Sequence, residues 1–183
     1  MNPAEASDED IIAATRRWLE RAVIGLNLCP FAKAPYAKGR VRIVVSRAQD
    51  EEHLLLDVCE ELQRLAVTSE NEVETTLLVH PHALNDFLEF NDFLDLADGM
   101  LDEMNLSGEL QVASFHPDYR FADTAVDDVS NYTNRSPYPT LHLLRESSID
   151  RAVESGFDTD SIYETNIAKL REMGEAGWRA LWK

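Results

Sequence analysis

Two strand-like segments end in a histidine followed by proline, at positions where α/β proteins commonly carry out chemistry. His80 closes the apolar run that begins at Thr76, and His116 closes the run that begins at Val112. Ligands bind outside the carboxyl ends of strands in open α/β sheets, so parallel neighbouring strands would bring both imidazoles to one pocket. An imidazole titrates near neutral pH, which makes His116 a candidate general acid or base. The alternative is that each His-Pro pair only terminates a strand, and it has more weight for His80 than for His116.

The segment 117–138 is a second feature, because it joins predicted strands without a glycine or a convincing periodicity. Loops of that length in compact domains are usually functional or disordered, and the aromatic residues of this one disfavour disorder. Arg135 is the candidate for holding an anion, since a guanidinium binds carboxylate or phosphate through two parallel hydrogen bonds. Arg120, Asp118 and Tyr138 complete the candidate substrate-binding set. An ion pair with an aspartate of the same loop is an equal alternative for Arg135 and the favoured one for Arg120.

Cys29 is a third candidate, as a nucleophile or redox thiol that folds back onto the same site. It follows a predicted helix, whose negative end raises the pKa of a thiol, although basic residues nearby in sequence could offset this effect. With His80 and His116 it could instead ligate zinc, copper or iron, and a Cys-Pro pair can offer a thiolate to haem iron. The alternative is a half-buried thiol that packs under the helix terminus. No motif implies a particular cofactor.

The composition of the chain limits the classes of molecule that the protein is expected to bind. The chain has 34 acidic and 17 basic residues in 183, a formal net charge of −17. That balance argues against nucleic-acid binding and against docking on an anionic membrane, and no apolar run approaches the roughly 20 residues of a spanning helix. Only two cysteines, Cys29 and Cys59, favour a reducing compartment, so we expect a cytoplasmic protein. Glycine-rich phosphate loops and the common hydrolase and metalloprotease motifs are absent from the sequence.

The hydrophobic periodicity predicts the order α-β-α-β-α-β-loop-β-α-α. The first helix begins after an N-cap at Ser7 and ends near residues 27–29. The predicted strands are 41–46, 75–80, 109–116 and 140–144, and the other helices are 51–67, 83–106, 148–154 and 160–182. Alternating strands and helices favour a mostly parallel sheet, with an antiparallel fourth strand because no helix precedes it. We expect a single α/β domain over 1–183, with 1–7 as a flexible tail and a four-stranded mixed sheet flanked by helices.

Four segments resemble a known family. They are Arg17-Trp18-Leu19, Gly25-Leu26-Asn27-Leu28-Cys29-Pro30-Phe31-Ala32, Ser114-Phe115-His116-Pro117 and Asn134-Arg135-Ser136-Pro137-Tyr138-Pro139. The chain is similar over nearly its whole length to a bacterial and plastid-lineage family described only as a domain of unknown function. The resemblance implies a single domain of about this length, and it implies no reaction, cofactor or catalytic residue.

Three hypotheses about function follow from these residues. The first is an enzyme that acts on a small anionic metabolite at the carboxyl edge of the sheet, with His116 as acid or base, Arg135 as anion clamp and Cys29 as nucleophile. The second is a metal- or haem-binding protein that uses Cys29, His80 and His116. The third is a non-catalytic acidic module that recruits a basic partner and pairs with a second copy through the 84–104 helix.

Overall fold

The computed structural model describes residues 6–154 and 159–183. The helices are α1 (Asp8–Trp18), α2 (Lys33–Ala37), α3 (Glu51–Val67), α4 (Phe87–Glu103), α5 (Glu146–Glu154) and α6 (Thr159–Ala180). The strands are β1 (Val41–Val45), β2 (Thr75–Val79), β3 (Leu110–Phe115) and β4 (Thr140–Arg145). A π-helical segment, Leu19–Ile24, continues α1, and a 3₁₀ segment, Val129–Asn134, precedes β4. The predicted alternation of helices and strands is confirmed, and the short α2 lies in a segment expected to be loop.

The sheet is mixed and four-stranded, as predicted, with the order β1-β2-β4-β3. β1 and β2 are parallel, whereas β4 runs antiparallel to both of its neighbours, β2 and β3. The expectation that β2 and β3 could be adjacent is wrong, because β4 lies between them. Burial explains this position: Leu141 and Leu143 of β4 are completely buried, and a strand buried on this scale is stable only with partners on both edges.

The two faces of the sheet pack against different helices, because successive side chains of a strand alternate between them. One face carries Leu78, Leu141 and Leu143 and packs against Phe90 and Phe93 of α4, together with α3. We call it the α4 face. The opposite face, which we call the α1 face, packs against α1 and its π-helical continuation. Residues Leu77, Ile43 and Phe115 project from the sheet on that side, next to Trp18.

The start of α1 confirms the predicted N-cap. The side chain of Ser7 accepts a hydrogen bond from the backbone N–H of Asp10, and acidic residues fill the first turn, where the helix dipole favours them. Ala6 is buried against Ile11, so residues 6 and 7 belong to the fold and not to the expected tail. The rest of that expected tail, residues 1–5, lies outside the described residues.

The end of the first helix differs from the prediction. The α-helix stops at Trp18 and continues as a π-helical segment, after which Asn27 adopts a left-handed conformation with φ of 54°. The backbone N–H groups of Leu28 and Cys29 both reach the Val23 carbonyl, which closes the helix before the proline. Hydrophobic spacing does not distinguish a π-turn from an α-turn over so few residues, so the sequence predicted only one continuous helix.

The 117–138 loop is ordered, as the sequence predicts, and its order comes from buried side-chain hydrogen bonds. Asn131 is completely buried; its carbonyl oxygen accepts from Phe121 N–H and Thr124 Oγ1, and its amide donates to the Ala125 carbonyl. The backbone N–H of His116 donates to the Asn134 carbonyl, which ties the end of the loop to the end of β3. These hydrogen bonds hold the loop in place of the regular backbone hydrogen bonds that a helix or strand would have.

None of the helices within residues 6–154 and 159–183 combines the length and the apolar character that crossing a membrane requires.

Candidate functional site

His80 and His116 approach one another inside the protein, on the α4 face of the sheet. The Phe90 ring lies between them, with ring centroids 5.6 Å from His80 and 5.1 Å from His116. Both histidines are fully buried. The two strand ends therefore converge although the strands are not neighbours, because β4 adds only one strand spacing between them, but they meet in the packed core around Phe90 and not at the open pocket that the sequence predicts.

Both ring nitrogens of His116 are engaged by the main chain. Nδ1 accepts a hydrogen bond from Asp118 N–H at 3.0 Å, so Nε2 carries the proton and donates to the Leu84 carbonyl at 3.2 Å. Burial lowers the pKa of His116, and the Leu84 carbonyl partly opposes this shift. A neutral imidazole with both nitrogens occupied fixes the turn into the 117–138 loop. Its action as a general acid or base stays a prediction.

His80 is more isolated from water than His116. Its Nδ1 donates to the Ala83 carbonyl at 3.0 Å, and its Nε2 is buried without a partner. Burial lowers the pKa of His80 to about 4, with a smaller contribution from the neighbouring His116. A metal ion could approach only the Nε2 lone pair of this ring.

Cys29 lies on the α1 face, across the sheet from both histidines. It packs with Trp18, Phe115 and other residues of that face. The hypothesis that Cys29 and His116 meet in one site is therefore not supported by the geometry, since a layer of backbone separates them. Burial raises the pKa of the Cys29 thiol, with backbone hydrogen bonds from Phe31 and Ala32 opposing it.

The same separation bears on the proposed Cys29, His80 and His116 metal site. Sulfur and nitrogen atoms that share one zinc ion each lie about 2.0–2.3 Å from it, which side chains on opposite faces of a sheet cannot do. Among the described residues, no group of three or more His, Cys, Asp or Glu side chains is placed to hold a metal ion.

Arg135 lies at the mouth of a surface cleft. Its Nε donates to the Tyr119 carbonyl at 3.2 Å and its Nη2 donates to the Val126 carbonyl at 2.7 Å. Its guanidinium also stacks on Tyr132, with Cζ 4.9 Å from the ring centroid. Two of the five N–H donors of a guanidinium are used in this way, which leaves the others for a ligand. No ion pair joins Arg135 to the described aspartates of the loop.

The remaining sequence-predicted binding residues are not brought to Arg135. Tyr138 is half-buried and packs on the cluster of Ala6, Ile11 and Val79. Asp118 and Arg120 are exposed on the loop, where the backbone N–H of Asp118 serves His116. None of these three lines the cleft that contains Arg135.

The cleft has a volume of about 470 Å³ and is built from α1, the loop and the C-terminal part of α6. Arg17 and Arg21 line it from the first helix and its π-helical continuation, and Arg135 lines it from the end of the loop. Its aromatic lining consists of Trp18, Tyr132, Trp178 and Trp182, and Pro117, Ser136 and Pro137 complete the loop side. Three of the four segments that carry the family resemblance thus meet at the cleft, whereas no residue of 25–32 lines it.

The electrostatics of the cleft oppose those of the whole chain. Its lining includes three arginines and no Asp or Glu, in a protein of net charge −17. Arg17 makes no hydrogen bond or ion pair with any described residue, and Arg21 donates only to the Leu181 carbonyl, at 2.6 Å. Three guanidiniums at one site with no carboxylate between them form a strong local attraction for an anion.

The aromatic wall of the cleft is preorganised. Tyr132 and Trp178 stack with ring centroids 4.9 Å apart and an interplanar angle of 21°. Trp182 contacts Trp178 edge-on, with ring centroids 5.5 Å apart, and 42% of the surface of Trp182 is exposed to solvent. Stacked and edge-on rings hold one another in place, so a planar ligand can lie on them without reordering the side chains.

Sequence reasoning placed Arg135 in the site and missed Arg17, Arg21 and the three tryptophans. The sequence predicts Arg17 and Arg21 on the solvent-exposed face of the first helix, and both residues are indeed exposed in the structure. The only signal in the sequence was the occurrence of Arg-Trp in one of the resembling segments. Recognising the cleft required knowing that α6 returns to α1, a contact between residues more than 150 positions apart.

Comparisons with known proteins identify a family for this chain. No curated protein and no solved structure matches the chain. One family model does match, over residues 10–180, and its description is "Protein of unknown function (DUF1415)". That span includes α1, the loop and α6, which together form the cleft. The chain therefore belongs to the DUF1415 family of proteins of unknown function.

Proposed function

We propose that this protein binds a small organic anion with a planar, unsaturated part in the cleft of Arg17, Arg21 and Arg135. The observation that carries the proposal is the three arginines of the cleft, unaccompanied by any lining carboxylate, in a chain of net charge −17. A cluster of like charges is unfavourable unless a counter-charge joins it, because the positively charged guanidinium groups repel one another. A carboxylate or phosphate removes that repulsion and gains charge-assisted hydrogen bonds.

The planar part of the ligand is inferred from the aromatic wall. Tyr132 already holds the Arg135 guanidinium on its face, and Trp178 stacks on Tyr132. An unsaturated ring that lies against Trp178 or Trp182 would gain stacking and apolar contact while its anionic group faces the arginines. The volume of about 470 Å³ suits a metabolite and is too small for a folded protein segment.

Turnover of the bound anion by His116 is a separate hypothesis, which the position of its imidazole does not favour. His116 immediately precedes Pro117, which lines the cleft, but its imidazole is turned to the α4 face. Its hydrogen bonds to Asp118 and Leu84 suit a residue that positions the loop. If His116 is catalytic, the His116→Gln variant binds the anion normally and loses turnover; if it only positions the loop, binding weakens instead.

Intrinsic fluorescence provides the binding experiment, because all three tryptophans of the chain line the cleft. Phenyl phosphate and benzoate serve as anionic probes, with benzyl alcohol as the neutral analogue. We expect the two anions to change the emission in a saturable manner, and benzyl alcohol to displace phenyl phosphate only at concentrations at least tenfold higher. Affinity for the anions should fall as salt is raised, since the arginines are partly exposed.

A matched pair of variants locates the effect. Arg17→Met removes an arginine of the cleft, and Arg16→Met removes the adjacent arginine, which is exposed and does not line it. Loss of a hydrogen bond between charged groups weakens binding about tenfold or more, so we expect that change for Arg17→Met and almost none for Arg16→Met. Equal affinities in the two variants, or displacement of phenyl phosphate by benzyl alcohol at equal concentrations, would contradict the proposal.

A further inference from the structure

A second cavity lies on the α1 face of the sheet, on the other side of Trp18 from the cleft. Its volume is about 300 Å³. Apolar side chains from the first helix and the sheet form most of its wall, among them Leu19, Val23, Leu77 and Phe115. An engineered cavity of about 150 Å³ with a similar aliphatic and aromatic lining holds benzene, so this one has room for a substituted ring.

The charge of this cavity differs from that of the cleft. Neither Lys nor Arg is among its lining residues. Its one charged lining residue, Glu74, pairs with Arg40 at 3.9 Å and with Arg151 at 3.7 Å. An anion that entered would lose its hydration without gaining a counter-charge, which is strongly unfavourable in an apolar site. The cavity therefore selects against the ligands that the cleft attracts.

One polar side chain of the wall, His142, has a defined protonation pattern. Thr75 Oγ1 lies 2.7 Å from the Leu143 carbonyl and 2.7 Å from His142 Nε2. A carbonyl only accepts, so the single hydroxyl proton of Thr75 goes to Leu143, and Nε2–H of His142 donates to Thr75. Nδ1 of His142 is then an acceptor.

That acceptor is open to the cavity. Nδ1 of His142 receives no hydrogen bond from the described residues. The described side-chain polar atoms that are both sealed from solvent and without a partner are His80 Nε2, Thr133 Oγ1 and Asn166 Oδ1, and His142 Nδ1 is not one of them. His142 lines the cavity, and burial lowers its pKa to about 4, so the ring is neutral at pH 7. A donor group of a ligand is the partner that this atom lacks.

We propose that this cavity is a second binding site, for a neutral and mainly apolar molecule with one hydrogen-bond donor, such as a phenol, whose donor is directed to His142 Nδ1. The proposal stands apart from the anion site, because the two cavities share only Trp18 and have opposite charge preferences. The protein would then hold two different small molecules on the two sides of one tryptophan.

Calorimetric titration of the full chain at pH 7 tests the proposal with two probes that share one methyl-substituted ring, 4-methylphenol and toluene. We expect 4-methylphenol to bind about five- to tenfold more tightly than toluene, which is the size of one neutral hydrogen bond. In His142→Leu the two affinities should become equal while that for toluene is retained. Ala32→Leu, which fills part of the cavity, should weaken both, and Arg17→Met should change neither.

Nitrogen NMR of the imidazoles in the unmodified protein gives a reading that does not depend on whether a variant folds. Binding of 4-methylphenol should shift the His142 Nδ1 resonance, and toluene should leave it in place. Failure of both probes to bind up to their solubility would overturn the proposal. So would a preference for 4-methylphenol that persists in His142→Leu, unchanged binding in Ala32→Leu, or an unshifted Nδ1. These results leave the anion site unaffected, since it is tested separately by the binding of phenyl phosphate and its loss in Arg17→Met.

Discussion

Lowering the pH from 7 to 5 should destabilise this protein through its buried histidines, and His80 is the sharpest case. Its pKa is about 4 in the folded protein and 6.5 when exposed. A depressed pKa means that the unfolded chain binds a proton more readily than the folded one, so stability is fully present above pH 6.5 and is lost as the pH falls towards 4. Proton linkage with these two values gives a loss of about 2 kcal/mol between pH 7 and pH 5 from His80 alone.

The structure explains why this loss should be visible against the rest of the chain. The pKa of His142 is likewise lowered by burial to about 4, so it acts in the same direction. Carboxyl groups change little above pH 5, because their ordinary pKa values of about 4 lie lower. His53 acts in the opposite direction, since its hydrogen bond to Asp50 raises its pKa, but its exposed position limits its effect.

Urea denaturation of the unmodified protein and of two variants at pH 7, 6 and 5 measures the effect. His80→Asn retains a donor near the Ala83 carbonyl and cannot be protonated in this range. It should start less stable because it leaves a small cavity, but its decline from pH 7 to pH 5 should be smaller by about 2 kcal/mol. The exposed His53→Asn is the control, and its decline should be no smaller than that of the unmodified protein. An undiminished decline in His80→Asn, or stability that does not change between pH 7 and 5, would refute the reasoning.

Three further predictions concern other parts of the fold. Arg42→Met should lower the free energy of unfolding, measured by urea titration, by about 2 kcal/mol, because Arg42 makes two hydrogen bonds, at 2.7 and 2.9 Å, to the buried Glu61. Arg64→Met should lower it much less, because Arg64 is half-exposed. Similar losses in the two variants would contradict this. Asn131→Ala should expose the 117–138 loop to proteolysis, detected by mass spectrometry of the fragments, since three hydrogen bonds are lost; an uncleaved loop would count against it. Iodide should quench the tryptophan emission more strongly than caesium despite the net charge of −17, because the tryptophans lie beside the arginines, and the reverse order would mean that the cleft is not positive.

The local features of the fold could be predicted from the sequence because they depend on neighbouring residues. Ser7 and the apolar spacing after it predicted α1, and the short apolar runs predicted all four strands. The absence of a helix before β4 predicted its antiparallel direction. The aromatic content of the 117–138 loop predicted that it is ordered. Each of these depends on periodicity, capping or composition within a short window, which the sequence displays directly.

The strand order and the two cavities depend on tertiary packing. No local sequence pattern shows whether β4 is an edge strand or lies between β2 and β3. Its central position is decided by the burial of both of its edges in the folded protein. Side-chain alternation then places Cys29 and His116 on opposite faces, although both belong to segments that resemble one family. The same packing brings α6 back to α1.

The sequence by itself therefore determined the elements and the mixed sheet, and it predicted Arg135 as an anion-binding residue. Only the tertiary structure decided which residues accompany Arg135. Arg17 and the tryptophans of α6 become part of one site because distant apolar surfaces bury one another, and the free energy of that burial depends on the whole chain and not on any short window of it.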